Sequence, residues 1–213
     1  DFTPKILAEY SKLLSTYSGI AVRENNAVDL LKLLGITCMG QVLDPTLLLT
    51  GEEWSKRIKR NMEGKYVLVY QLHNNPVLTD YALRFARHTG LPLYRISPTF
   101  HQIRRGGKFI YLPDLDEFLS YIKNCTYFLT DSFHGTAFAL NFNKQFIEIL
   151  PNNKTGSRNQ SILQLTGLTD RILTDFSDFS MADKVIEYTS VNNILAKERQ
   201  KSIAILKSLL SNR

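Results

Sequence analysis

The sequence predicts an α/β protein: a doubly wound parallel sheet with a remnant of a second α/β domain at the N-terminus. Three observations carry this. From Tyr66 onward, short apolar runs alternate with stretches of helical periodicity, which is how βαβ units read. The runs are apolar almost without interruption, as in Tyr66-Val67-Leu68-Val69-Tyr70; a strand buried on both faces of a parallel sheet looks like this, whereas a half-exposed strand alternates. Finally, 213 residues, 44% hydrophobic and 22% charged, fit one large domain plus part of another. They exclude collagen-like, low-complexity and disordered chains.

The elements follow in order. The first 18 residues place Ile6, Leu7, Tyr10, Leu13, Leu14 and Tyr17 at helical spacing and predict an amphipathic helix stopped by Gly19. Ile20-Ala21-Val22 is a short strand, and Asn25 or Asn26 caps a helix through Leu34 that Gly35 ends. This unit has no strand partner before it, so residues 1–49 read as the tail of a domain. Within them, Pro45 confines the segment Val42–Leu49 to an edge strand or an extended crossover. Residues 50–180 form the main domain. Its strands are Tyr66–Tyr70, Pro92–Ile96, Phe109–Leu112, Tyr127–Thr130 and Phe146–Ile149. Helices open at Pro76, at Asp114 or Asp116, near Thr136 and at Arg158, with Gly90 and Gly167 as stops. One long helical stretch from Ala182 to Leu210, bent near Ser190, dominates the last portion, 181–213, and is expected to pack back across the domains.

Lysine and arginine outnumber the acids 26 to 20, a net charge of +6. That excess is too small and too dispersed for nucleic acid, and no aromatic stacking motif accompanies it. The densest cluster, His101 to Lys108, reads as a solvated loop or as a site for an anionic substrate or membrane surface. No apolar run approaches the roughly 18 residues of a membrane span. Two cysteines, Cys38 and Cys125, make no disulfide framework. The chain starts at Asp1 without Met or an apolar leader core. The expectation is therefore a cytoplasmic protein, at most peripheral at the inner membrane face, and a piece of a longer chain.

In open α/β sheets, ligands bind beyond the carboxyl ends of the strands. Two loops there stand out: Gln71-Leu72-His73-Asn74-Asn75 and Thr130-Asp131-Ser132-Phe133-His134-Gly135-Thr136. In the second, a buried strand ends in polar residues, then a histidine and a glycine lead into a helix of small residues. This aims the backbone N–H groups of Gly135, Thr136 and Ala137 at an anion, with the helix dipole behind them. Ser132 and Thr136 add hydroxyls, and histidine, here His134, is the side-chain type that titrates near neutrality. The competing reading makes Ser132 or Thr136 a plain helix cap and His134 a supporting residue. Arg23, after a strand end, points into a cleft or sits in a surface ion pair. Lys154-Thr155-Gly156-Ser157-Arg158 is a second anion contact or a solvated loop. The four histidines are scattered, so no metal spacing appears. Neither a glycine-rich phosphate loop nor the Gly-x-Ser-x-Gly frame of a hydrolase is present.

The run Thr130–Leu140 followed by Asn143-Lys144-Gln145-Phe146-Ile147 resembles the signature loop of the polysaccharide pyruvyl transferase family. Weaker matches come in the same order at Ala21-Val22-Arg23-Glu24, at Val42-Leu43-Asp44-Pro45-Thr46, and at Glu117-Phe118-Leu119 with Ile122-Lys123-Asn124. Ser157-Arg158 before a leucine-rich helix fits too. The resemblance covers roughly residues 19–206. It implies two Rossmann-like domains arranged as in the GT-B glycosyltransferases, the main domain here being the C-terminal, donor-binding one. The activity implied is transfer of a pyruvyl group from phosphoenolpyruvate to two hydroxyls of a saccharide, free or lipid-linked, as a cyclic ketal. His134 and Arg23 match the family's catalytic histidine and arginine; Ser132, Gly135, Thr136 and Arg158 fall to donor binding. No metal or further cofactor is called for. Phosphoenolpyruvate and the saccharide are the expected partners. The alternatives are a nucleotide-sugar glycosyltransferase or epimerase, against which the lack of an acid between Ser132 and Asn143 speaks, and a non-catalytic domain binding an anion or polysaccharide.

Overall fold

The computed structural model describes residues 3–151 and 156–211. The chain divides into two compact units, Asp1–Leu48 with Asn192–Arg213, and Leu49–Val191.

In the first unit, helix α1 (Pro4–Leu14) is capped by Thr3, whose hydroxyl accepts from the Ile6 amide, and Pro4 takes a first-turn position that needs no N–H. It ends short of its apolar periodicity because the hydroxyls of Ser15 and Thr16 donate to the carbonyls of Lys12 and Leu13. These side chains take up acceptors that another helical turn would use. Strand β1 (Ile20–Val22) is no orphan: it pairs in parallel with β2 (Cys38–Gln41), Ile20 opposite Cys38, across helix α2 (Asn25–Leu33). Gly40 and Gln41 break the apolar pattern that would have marked β2 as a strand. Val42–Leu49 is likewise no edge strand. Asp44 accepts the Thr46 amide on Oδ1 and the Leu47 amide on its carbonyl, so that Pro45 opens a short helix, α3 (Pro45–Leu48). The last helix, α9 (Tyr188–Ser211), begins in the second unit and continues into the first. There Ser202 accepts the Leu43 amide at 2.9 Å, and Arg199 Nε donates to the Leu47 carbonyl at 2.6 Å.

After the short helix α4 (Gly51–Ser55), the second unit holds, among the described residues, a five-stranded parallel sheet of β3 (Val67–Tyr70), β4 (Leu93–Ser97), β5 (Lys108–Tyr111), β6 (Tyr127–Thr130) and β7 (Gln145–Glu148). The order across it is β5-β4-β3-β6-β7, with Val67 opposite Leu93 on one side and Tyr127 on the other. Val67, Val69, Leu129 and Ile147 pack with Leu78, Tyr81 and Phe85 of α5 (Pro76–Thr89). Leu68, Phe128 and Phe146, which alternate with them, are also fully buried. Burial on both sides is why these strands read as unbroken apolar runs. Helices α6 (Leu115–Asn124), α7 (Phe133–Asn141) and α8 (Ser157–Thr166) complete the alternation. The chain works outward from β3 through β4 to β5, then returns to β6 on the other side of β3. The switch point therefore lies between β3 and β6, where open α/β sheets gather ligands.

Two further expectations need correction. Helix α7 starts at Phe133 instead of near Thr136, because Ser132 caps it. The long helix starts at Tyr188 instead of Ala182. The Gln145 side chain bonds both the amide and the carbonyl of Ile186, and Arg171 donates to the Lys184 carbonyl. These bonds hold the segment before Tyr188 against the β7 end of the sheet.

Candidate functional site

The loop after β6 is built to be rigid. Thr130 Oγ1 donates to the Tyr70 carbonyl at the end of β3 and accepts the Ser132 amide at 3.1 Å. Ser132 then caps α7, its Oγ accepting from Gly135 N at 3.3 Å and its carbonyl from Thr136 N at 2.9 Å. Gly135 is required by close approach: a Cβ there would lie 2.4 Å from Thr130 Oγ1 and 3.3 Å from the Phe128 ring. Thr130 is held by two hydrogen bonds and cannot step aside.

This arrangement redirects the anion-binding expectation. The amides of Gly135 and Thr136 are committed to Ser132, and Ala137 lies far enough into the helix to have an intrahelical acceptor. Among the described residues, the open amides of the first turn are those of Phe133 and His134. His134 is exposed, its ring meeting that of Phe133 edge-on at 5.6 Å. On the Phe133 ring sits the guanidinium of Arg158, 4.2 Å from its centroid. A guanidinium stacked in this way is held in direction by the ring. His134 and Arg158 thus flank one aromatic side chain at the positive end of a helix.

Beneath them lies a buried carboxyl. Glu148, at the end of β7, has no exposed surface; a 2.5 Å hydrogen bond joins its Oε2 to Thr136 Oγ1, and Oε1 accepts from Asn159 Nδ2 at 2.6 Å. Burial pushes the Glu148 carboxyl up to about 8, with nearby Asp131 adding to the rise and the Thr136 and Asn159 hydrogen bonds opposing it. It is therefore largely neutral at pH 7. Through it, α7 two residues past His134 is tied to α8 one residue past Arg158.

The second loop at the switch point is fastened by Asp131. Its Oδ1 accepts the Leu72 amide at 2.7 Å and its Oδ2 the His73 amide at 2.9 Å, with His73 Nδ1 3.2 Å from the same oxygen. A cavity of about 460 Å³ opens here, lined by His73, Asn74, Asn75, Asp131, Leu150 and Pro151.

The sequence profile of the polysaccharide pyruvyl transferase family matches residues 2–153, well over half of the chain. The chain belongs to that family. No curated protein matches this pyruvyl transferase family member. Among solved structures it is similar to the UDP-GlcNAc 2-epimerase of Methanocaldococcus jannaschii in complex with UDP-GlcNAc and UDP. The identity is 15% and the TM-score 0.53, over 90% of this chain and 61% of that one. A dodecameric iron-containing heptosyltransferase, TibC, in complex with ADP-D-beta-D-heptose, is similar at 14% identity and TM-score 0.39, over 79% of this chain and 52% of its own. The chain thus spans less than two thirds of either structure. At such identity the likeness is one of fold, the GT-B type of glycosyltransferases and epimerases.

Within this pyruvyl transferase family member, the predicted site residues fare differently. His134 and Arg158 are brought to one place. Ser132 and Thr136 are 1% and 0% exposed, and their hydroxyls serve the cap and Glu148 instead of facing solvent. Gly135 is buried and acts through its missing side chain. Arg23 lies in the other unit, beyond β1, in an ion pair with Asp44. Lys154 and Thr155 lie outside the described residues. Sequence reading passed over Asp131 and Glu148. A clue to Glu148 was there: it is a lone acid in the apolar run Phe146-Ile147-Glu148-Ile149. Among the described residues, no group of three or more His, Cys, Asp or Glu is placed to hold a metal ion. No described helix is long and apolar enough to cross a membrane.

Proposed function

We propose that this member of the family moves the pyruvyl group of phosphoenolpyruvate onto two hydroxyls of a saccharide as a cyclic ketal, releasing phosphate. The observation that supports this most is the exposed His134 at the open end of α7 with Arg158 fixed beside it on Phe133. Phosphoenolpyruvate carries a phosphate and a carboxylate. The Phe133 and His134 amides, the positive end of α7 and the Arg158 guanidinium are the donors such a molecule needs. To Arg23 we assign the catalytic part that the family resemblance implies.

The reaction needs protons moved in both directions. A first hydroxyl oxygen bonds to C2 of the enol while the C2–C3 electron pair takes a proton at C3. A second hydroxyl oxygen then bonds to C2 as the C2–O bond to phosphate breaks. Two hydroxyl protons leave; one is balanced at C3 and one on the departing phosphate. His134, at the edge of this anion site, is the residue to deliver the C3 proton.

Thermal melting with phosphoenolpyruvate, inorganic phosphate and UDP tests the donor. A ligand at 100 times its Kd adds about 2.7 kcal/mol to native stability. Stabilisation by phosphoenolpyruvate beyond that by phosphate is expected. Stabilisation by UDP alone would turn the reading toward a nucleotide-sugar enzyme.

A further inference from the structure

The His73–Asp131 pair is not used in the reading above, and its geometry has a chemical consequence. Asp131 is 3% exposed and already receives two backbone amides, one on each oxygen. It needs no imidazole to be satisfied, and with both oxygens tied it cannot swing. His73 nevertheless places Nδ1 against Oδ2 at 3.2 Å while its side chain stays 35% exposed in the cavity wall. A carboxylate at Nδ1 selects the tautomer with the proton on that nitrogen, which leaves the Nε2 lone pair on the opposite edge of the ring, away from Asp131. This is the arrangement of a general base held by an orienting carboxylate.

The rest of the wall suits a hydroxylated ligand. Asn75 Oδ1 accepts from the Leu78 amide as the cap of α5, and Asn74 Oδ1 accepts from Arg105 at 2.5 Å. Each amide therefore keeps an NH₂ group for other partners. Leu150 and Pro151 add apolar surface for a sugar ring. Among the described lining residues, His73 and Asp131 are the titratable groups, and the Arg105 cation stands behind Asn74.

We propose that this cavity seats the saccharide acceptor and that His73 is a second acid–base residue, taking a hydroxyl proton on Nε2. The proposal rests on the pyruvyl-transfer reading for the identity of the chemistry. In the first step the hydroxyl proton passes to His73 Nε2 as the oxygen bonds to C2, and His134 gives its proton to C3. In the second step His134 accepts the proton of the second hydroxyl, and His73 returns its own to the departing phosphate. Both histidines end as they began.

Two measurements test this, and they fail separately. Imidazole ¹⁵N NMR of the chain, titrated with methyl glucoside, methyl galactoside and methyl mannoside, should show His73 as the Nδ1–H tautomer. At least one glycoside should move its Nε2 resonance together with the Asn74 side-chain amide. Another tautomer, or resonances that none of the three moves, overturns the proposal whether or not phosphoenolpyruvate is a substrate. If the protein releases phosphate from phosphoenolpyruvate with a saccharide present, His73→Gln should lower kcat at least 100-fold with the KM for phosphoenolpyruvate unchanged, and should flatten the acid limb of the kcat profile. Near-normal kcat in a folded His73→Gln protein also overturns it. If the wild-type protein releases no phosphate with any saccharide while the glycoside shifts are present, the donor reading falls and the acceptor cavity stands. His73→Gln is preferred to an Asp131 variant because Asp131 also holds the backbone of the loop.

Discussion

Replacing Glu148 with glutamine should change the pH dependence of stability in a direction opposite to that of an ordinary ion-paired acid. The carboxyl sits at about 8 in the folded chain against 4.5 for the free side chain, because burial penalises its charge. Below pH 4.5 it is protonated in both states and contributes no pH dependence. Between the two values the unfolded chain releases the proton and the native one keeps it. Native stability therefore falls by about 1.4 kcal/mol per pH unit as pH rises, levelling off above pH 8. Over the whole interval, 8 less 4.5 or 3.5 units, the loss is on the order of 5 kcal/mol. Glutamine is neutral throughout and keeps the hydrogen bonds of a protonated carboxyl: its oxygen accepts from Asn159, and its NH₂ donates to Thr136 Oγ1, which donates in turn to the Ser132 carbonyl. Melting curves by circular dichroism at pH 5, 6, 7 and 8 should show the wild-type Tm dropping relative to Glu148→Gln, with the gap reaching on the order of 10 °C. Parallel curves for the two proteins would refute the reasoning, since every other titrating group is common to both.

Three more outcomes follow from the site. His134→Ala should cut phosphate release from phosphoenolpyruvate by about 10²- to 10⁴-fold, mainly in kcat, with unchanged circular dichroism because the side chain is exposed. Arg158→Ala should act chiefly on the KM for phosphoenolpyruvate, about 10- to 100-fold from the loss of one charge-assisted contact, as read from initial rates across donor concentrations. Gly135→Ala should destabilise by about 1–3 kcal/mol in urea unfolding, because its methyl meets a doubly held Thr130.

The sequence by itself determined the strands of the sheet and the loop that carries His134; the order of the strands, and so the point where the winding reverses, came from the structure. A strand buried on both faces must be apolar along its length, so Val67–Tyr70, Tyr127–Thr130 and Gln145–Glu148 stand out as runs with polar residues at their carboxyl ends. Helix ends were local matters as well: Asn75 and Asp114 cap, and Gly90 and Gly167 stop, by contacts within a few residues. Tertiary structure alone decided what joins distant positions. It paired β1 with the pattern-poor Cys38–Gln41, and it held the chain before Tyr188 out of helix through Gln145. Ser132 and Thr136 were turned inward, toward the cap and Glu148. Asp131 was joined to a loop 58 residues away in sequence, and Glu148 was made the neutral link between two helices. The reason is physical. A capping or apolar pattern is satisfied by near neighbours and leaves its mark in short windows of sequence. A carboxylate's partner, and the burial that sets its charge, depend on which strands lie side by side.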